Sequence, residues 1–416
     1  MSQRPLLEKR IILGVSGSIA CYKSADLASK LAQAGAQVDV ILTAAATRFI
    51  TPLTFQSVTG RRAYCDADLW GNEAHVLHVG LGHQADLLVV APATANTLAK
   101  LAQGQSHDLL GVTALAASCP LVIAPAMDAG MYQHPATQAN VEILQARGAT
   151  FIGPEAGHLA SGLVAKGRMS EPQTILGQIR YLLTRQGPLA GRRVVVTAGG
   201  TREAVDPVRF LTNHSSGKQG YAVAQAALDA GAEVTLISTV ESLPIPAGAT
   251  RVAVDSAAAM ARAVLAHSHD ADVLIMAAAV ADFRPAHEAT QKIKKDGGVP
   301  TLELAANPDI LLEVAQQRAS TGRPTVVVGF AAETENLLEN AQGKLTRKGL
   351  AMIVANDVSA SDAGFGTETN RVTILRADGT AETLPLMSKA EVATRLIQRV
   401  AEALAQRTPG DESSFQ

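Results

Sequence analysis

Aromatic residues are scarce in this 416-residue chain, at 3% against 47% for hydrophobic residues as a whole. A core without aromatics must be built from Ala, Val and Leu, which suits parallel strands covered by helices on both faces. Cysteine is almost missing too. Cys21, Cys65 and Cys119 have no metal-like or redox-pair spacing, which argues against a disulfide scaffold and for buried thiols in a reducing compartment. There is no excess of either charge. A formal charge of −2 offers no general attraction to nucleic acid or membrane, so any phosphate binding must be local. No run approaches the roughly 18 apolar residues a membrane span needs, and MSQRPLLEKRIILG has no long apolar core of a secretory leader. The expectation is a cytoplasmic protein with neither membrane nor nucleic-acid partner.

The length exceeds what one hydrophobic core usually organises. Short apolar runs at 11–15, 38–43, 87–91 and 121–124 alternate with helical patterns such as 24–34. A second set follows at 193–197, 233–238, 272–277, 325–329 and 352–355. This alternation predicts an α/β chain of two doubly wound, Rossmann-like domains with mainly parallel sheets. After the helical GQIRYLLTRQ, the segment GPLAGRR reads as a linker. That puts the boundary near Pro188, giving domains 1–188 and 189–416, with 407–416 expected to be disordered.

Two stretches stand out: VVVTAGGTREAVDPVRFLTNHSSGK at 194–218 and RIILGVSGSIACYK at 10–23. Each is a buried-looking strand opening into glycine-punctuated polar residues and then a helix, a turn whose free N–H groups suit an anion. In the first half Ser16 and Ser18 can bond a phosphate, although a tight turn with a capping serine explains them equally. APATANT at 91–97 offers Thr94, Asn96 and Thr97, neutral groups suited to a polar, uncharged ring or to plain helix capping. APAMDAGMY at 124–132 supplies two methionines and a tyrosine that can pack on a planar group or fill a core gap.

In this order and spacing, GxSGSIA, PATANT and PAMDxxMY resemble the homo-oligomeric flavin-containing cysteine decarboxylases. The resemblance implies FMN, bound by Gly17, Ser18, Ile19, Thr43, Thr94 and Asn96, and oxidation of a cysteine moiety so that its carboxylate leaves as CO2. It assigns the catalytic histidine to His78 in HVGLGHQAD, because His75 and His83 fall out of register. An imidazole with a pKa near 6.5 can accept and return protons at neutral pH. Two positions depart from the pattern. Asp128 replaces an asparagine that in the family contacts the departing carboxylate. An ionised Asp128 would repel that group, so it is protonated by its surroundings, or binds another group, or recognition is rearranged. Ser161, in GHLASGLVAKGRM, stands where bacterial phosphopantothenoylcysteine decarboxylases usually carry a cysteine that protonates an enethiolate. A thiol has a pKa near 8.5, and a serine hydroxyl is a far weaker acid that cannot simply inherit the role.

TAGGTREAVDPVRFLTNHSSGKQG resembles the signature of phosphopantothenate–cysteine ligase. The two activities occur fused in this order in bacteria, so the resemblance covers roughly residues 5–405. It implies that Asn213 holds an activated acyl intermediate. Asp282, followed by Lys292, Lys294 and Lys295 in KIKK, can by itself be a solvated surface pattern or part of a site. The resemblance places Asp282 on CTP and Lys292 on its phosphates. The rest of the CTP site is then Ala277, Ala278, Pro308, Asp309, Ile310, Leu311, Phe330, Lys344 and Lys348.

The implied pathway is coenzyme A biosynthesis. The carboxylate of 4'-phosphopantothenate attacks CTP with Mg2+ bridging the phosphates, cysteine's amine displaces CMP, and the amide is decarboxylated to 4'-phosphopantetheine. Partners are these small molecules and further copies of the chain, with trimers of the first half joined through dimers of the second. The alternative is an active ligase alone, its first half a flavin-binding scaffold or a decarboxylase of another cysteine-containing molecule.

Overall fold

The computed structural model describes residues 6–70, 76–294, 301–333, 337–357 and 367–406. His75, Lys295 and the segment 407–416 lie outside these described residues. The chain divides between Leu183 and Thr184 into two compact units.

In the first unit β1 (Arg10–Val15), β2 (Gln37–Leu42), β3 (Ala63–Cys65), β4 (Leu87–Ala93), β5 (Leu121–Pro125) and β6 (Thr150–Phe151) form one sheet in the order β3-β2-β1-β4-β5-β6. Every pairing in it is parallel. Side chains alternate across the sheet, so Ile11, Leu13, Val15, Val89 and Ala91 enter one core and Ile12, Ile41, Leu88 and Val90 the other. Burial of each large aliphatic contributes about 1.5–3 kcal/mol. That is why these strands read as unbroken apolar runs rather than alternating ones. The first helix, Cys21–Gln33, begins three residues earlier than its sequence pattern suggests because Cys21 and Ser24 are themselves buried. Beyond β6 an antiparallel hairpin, β7 (Glu155–His158) and β8 (Val164–Arg168), was not legible as strand, being short and largely exposed.

The second unit repeats the plan with additions. Its strands are β9 (Arg193–Ala198), β10 (Arg202–Ala204), β11 (Phe210–Thr212), β12 (Glu233–Ser238), β13 (Ala249–Ala253), β14 (Val273–Met276), β15 (Phe283–Pro285), β16 (Leu304–Ala306), β17 (Val326–Glu333), β18 (Met352–Asp357), β19 (Thr369–Asn370), β20 (Val372–Arg376), β21 (Ala381–Thr383) and β22 (Met387–Ser388). The large sheet runs β13-β12-β9-β14-β17-β18-β20-β21. It is parallel as far as β18 and antiparallel over β20 and β21. Small antiparallel pairs join β10 to β11, β15 to β16 and β19 to β22. Both units are thus α/β with largely parallel sheets. Among the described residues no helix is long and apolar enough to cross a membrane.

In both large sheets the chain leaves the central strand to one side first and returns to the other. The switch falls between β1 and β4 in the first and between β9 and β14 in the second. The crevice outside the carboxyl ends of those strands is where such sheets hold ligands.

Candidate active sites

In the first unit the strand-end loops converge at the carboxyl edge of the sheet. Gly17, Ser18 and Ile19 follow β1, and Thr43 follows β2. Thr94 caps the helix Ala95–Gln103, its Oγ1 accepting from Thr97 N at 3.3 Å. A Cβ on Gly17 would come within 2.5 Å of Ala45 Cβ and 2.9 Å of its carbonyl carbon, so only glycine lets the loops after β1 and β2 meet. Ser18 Oγ accepts from Ala20 N at 3.2 Å. Ser16 is not available for a phosphate. It is buried, and its hydroxyl donates to Pro92 O at 2.7 Å and accepts from Thr94 N at 3.0 Å. Ser16 therefore fastens β1 to the loop after β4, while Ser18, Thr94 and Asn96 present neutral polar groups beside two helix starts. That donor set, with the glycine-tight approach, fits a phosphate and an uncharged ring.

A cleft of about 280 Å3 adjoins this edge and brings together Ser18, Ile19, Asp128 and Ser161, with Lys23 and His158 also lining it. Asp128 caps the short helix Ala129–Gln133, its Oδ1 accepting from Gly130 N at 2.9 Å. Its Oδ2 accepts from Ser161 Oγ at 2.8 Å. The hairpin that carries Ser161 is held at its base by Met127 N, which donates to Gly167 O at 3.0 Å. The Ser161 hydroxyl, then the Gly130 amide, holds the Asp128 carboxyl below the usual carboxylate range. Of the three possibilities for Asp128, this lowered pKa speaks against protonation by its surroundings. Lys23 is nearly enclosed and committed, donating to Met169 O at 2.8 Å and pairing with Glu171 at 3.0 Å.

His78 is in the first turn of the helix Leu77–Gln84, which leads into β4 and so starts at the sheet's carboxyl edge. It is half-buried and is not among the residues lining the cleft; nor are Thr43, Thr94 and Asn96. Met131 is 50% exposed, and Tyr132 lies under the Lys166 ammonium at 5.5 Å. Cys21 is buried, Cys65 and Cys119 are half-buried, and all three are free thiols.

In the second unit the segment after β14 is stapled to the loop after β9. Ala278 N donates to Thr197 Oγ1 at 3.0 Å, Ala281 N to Thr201 Oγ1 at 2.9 Å, and Ala279 N to Gly199 O at 2.8 Å. Asn213, just past β11, donates its amide to Val280 O at 3.2 Å and Ala279 O at 3.5 Å. A cleft of about 610 Å3 follows, lined by Asn213, Ala278, Asp282, Pro308, Asp309, Ile310, Leu311, Phe330, Lys344 and Lys348 among others. Asp309 pairs with Lys348 at 2.9 Å. Lys292 is exposed and lines neither this cleft nor the next.

A smaller cleft of about 130 Å3 adjoins it across Ala278 and Phe330, and Ala277 lines it. Its floor is the turn Ser215, Ser216, Gly217 at the start of the helix Lys218–Asp229. Gly217 is left-handed, φ 74°, which lets the turn present its amides. Lys218, Asn356, Asn370 and Lys389 complete the cleft. The buried Lys389 ammonium is pushed below the usual lysine range by burial and then by Lys218. Asn356 Oδ1 is buried with no partner among the described residues. Sequence reasoning missed Asn356, Asn370 and Lys389. The asparagine ending the apolar run MIVAN was the available signal. The described residues hold no group of three His, Cys, Asp or Glu side chains able to bind a metal.

Residues 1–184 match the family described as Flavoprotein, and residues 189–404 that of the DNA/pantothenate metabolism flavoprotein C-terminal domain. The coenzyme A biosynthesis bifunctional protein CoaBC of Bacillus subtilis (strain 168) is 47% identical over 406 residues, covering 97% of this chain and 99% of the relative. The protein of the same name from Mycobacterium tuberculosis (strain H37Rv) is 46% identical over 411 residues, covering 96% and 98%. A crystal structure of the C-terminal domain of such a protein, 40% identical, covers 53% of this chain and all of that one, with a TM-score of 0.45.

Proposed function

The chain belongs to the CoaBC family of bifunctional coenzyme A biosynthesis proteins, a flavoprotein decarboxylase domain followed by a ligase domain, and from that premise we propose how its two sites divide the work. The second unit joins 4'-phosphopantothenate to cysteine at the expense of CTP. The observation that supports this best is the single cleft uniting Asn213 with Asp282, Phe330, Lys344 and Lys348. Cytosine and ribose lie along Asp282, Pro308–Leu311 and Phe330, while Lys344, Lys348 and Lys292 meet the phosphates. Mg2+, when bound with CTP, would offset the phosphate charge beside Lys344 and Lys348. The carboxylate attacks the α-phosphorus, pyrophosphate leaves, and a mixed anhydride forms whose acyl oxygen takes a hydrogen bond from Asn213 in place of the amide's longer, 3.5 Å contact to Ala279 O. Cysteine's amine then attacks the acyl carbon and expels CMP. The smaller cleft holds the phosphate of 4'-phosphopantothenate on the Ser215–Gly217 turn with Lys218 and Lys389, one helix start and two cations on one anion.

The first unit decarboxylates the product. FMN, when bound, would take two electrons from the cysteine moiety and return them once CO2 has left, so that the product is again a saturated thiol. Gly17, Ser18 and Ile19 hold its phosphate side and Thr43, Thr94 and Asn96 its ring edges. His78 takes the proton that oxidation releases. Ile19, Met131, Leu163 and Val164 are at least half exposed, apolar area that a further copy of the chain would cover in the trimer we assign to this half, with dimers of the other half joining trimers. The protein then works in the cytosol. The ionised Asp128 favours a second reading for this unit alone, in which it acts on a different cysteine-containing molecule.

One experiment separates the two. FMN-loaded protein is given 4'-phosphopantothenate, cysteine, CTP and Mg2+, and products are followed by mass. 4'-Phosphopantetheine and CO2 are expected. Phosphopantothenoylcysteine accumulating without CO2 would retain the ligase and overturn the decarboxylation of this substrate.

A further inference from the structure

Asp206 is buried, 2% exposed, yet it lines neither ligase cleft. Its carboxylate accepts from Val208 N and Arg209 N, each at 2.9 Å, which closes the turn between β10 and β11. That much is a local turn of the kind aspartate commonly makes. The same carboxylate reaches further. It accepts from Ile293 N at 3.1 Å, 87 residues along the chain. It also holds the Arg209 guanidinium through Nε at 2.9 Å and through Nη2. Arg209 Nη2 in turn donates to Ile293 O at 2.8 Å. Both backbone groups of Ile293 are therefore gripped by one ion pair, and Ala289 N adds a bond to Val205 O at 3.0 Å.

Ile293 is flanked by Lys292 and Lys294, and β11 runs from this turn directly to Asn213. A turn that needed only its own closure would leave Arg209 free for solvent. Here the guanidinium fork and the carboxylate take the donor and the acceptor of a distant peptide, as a neighbouring strand would. Arginine suits this because its planar fork donates in fixed directions. A buried carboxylate so supplied with donors stays ionised, and losing the half-exposed Arg209 would leave Asp206 buried without its counter-charge.

We propose that Asp206, acting through Arg209, is the positioning residue for Lys292. It fixes the backbone from which Lys292 addresses the triphosphate, in register with the segment that carries Asn213. This rests on the assignment of Lys292 to the CTP phosphates.

The test is a double-mutant cycle on the full-length chain, with pyrophosphate release measured against CTP concentration for Asp206→Asn, Lys292→Gln and the pair. Asp206→Asn should raise the KM for CTP about tenfold, on the scale of a lost charge-assisted bond, and leave the KM for cysteine unchanged. The double variant should be within about twofold of Lys292→Gln alone, because Lys292 cannot be misplaced once its charge is gone. Trypsin should cut after Lys292 and Lys294 faster in Asp206→Asn than in the parent at equal Tm. Multiplying effects in the pair, or a lower Tm with an unchanged KM for CTP, would overturn the proposal while leaving Lys292 in its role. An unchanged KM in Lys292→Gln removes the lysine from the nucleotide site and the proposal with it. If Asp206→Asn does not fold, Arg209→Lys in the same cycle decides, since lysine keeps the charge but cannot both pair with Asp206 and hold Ile293 O in the same geometry.

Discussion

The Ser161 hydroxyl donates to the Asp128 carboxylate across 2.8 Å, so the two positions at which the first half departs from the decarboxylase pattern are bonded to each other. The hydroxyl proton is pledged to an anion, which makes Ser161 an even poorer proton donor than a free serine. In return Ser161 helps keep Asp128 charged. The pair also ties the tip of the β7–β8 hairpin to the loop after β5, beside the Met127 to Gly167 bond at the hairpin's base.

Asp128→Asn should improve the handling of a carboxylate-bearing substrate. Asparagine keeps an oxygen for Gly130 N and still caps the helix, but the like-charge repulsion is gone. We expect the KM for phosphopantothenoylcysteine to fall about tenfold, because two like charges in close approach repel. CO2 release against substrate concentration checks it. An unchanged KM would mean that the carboxylate binds away from Asp128.

The pH dependence of the hairpin follows from the lowered Asp128 pKa. A carboxyl depressed in the folded state contributes stability that is present above its unfolded pKa, about 3.9, and is lost as pH falls through the folded value. The hairpin contact should thus be constant through neutral pH and weaken only in acid. In Ser161→Ala the Asp128 carboxyl should titrate at higher pH than in the parent, as read from its carbon NMR shift. Coincident titration curves would remove the bond as the cause.

Gly17→Ala should abolish flavin retention while leaving ligation intact. The added Cβ meets Ala45 at 2.5 Å, so the loops after β1 and β2 must separate, at about 1–3 kcal/mol of overpacking strain. The purified variant should be colourless near the flavin absorption band, with unchanged pyrophosphate release from the second unit. A fully yellow variant would place FMN elsewhere.

His78→Asn removes the proton acceptor but keeps a polar side chain of similar size. CO2 release should fall by about 100-fold or more, in the range expected for losing a general base, while phosphopantothenoylcysteine still forms. Decarboxylation at the parent rate would take His78 out of the mechanism.

Asn213→Asp should do the reverse. The carboxylate cannot donate to Val280 O or Ala279 O, and it places a charge beside an acyl phosphate. Amide formation should drop about 100-fold, as for the loss of a donor to a developing anion, with CO2 release from supplied phosphopantothenoylcysteine unaffected. Equal ligation rates would exclude the amide as a donor in the reaction.

The strand-end loops were readable because their elements are. Runs such as those of β1, β4, β9 and β14 are apolar on both faces, and polar residues that interrupt them must lie at the sheet's carboxyl edge, where ligands bind. The edge strand β13 and the antiparallel additions were not readable. In β13 and the β7–β8 hairpin one face or both meet solvent, so the hydrophobic signal fades. Ser16 misled for a related reason: a serine after a strand looks like an anion ligand, and only the position of Pro92 and Thr94 shows that its hydroxyl is already used.

The sequence by itself determined the α/β class, the two doubly wound sheets and the residues that belong to each strand-end loop, because period, glycine placement and local spacing are properties of the chain alone. The tertiary structure decided which of those residues share a cleft. It carried Lys389 and Asn370 to the helix that starts at Lys218, bound Ser161 to Asp128 from 33 positions away, and clamped Ile293 to Asp206. Those pairings depend on where a hairpin folds back or an antiparallel strand docks, and the free energy that fixes them comes from desolvated partners meeting in space.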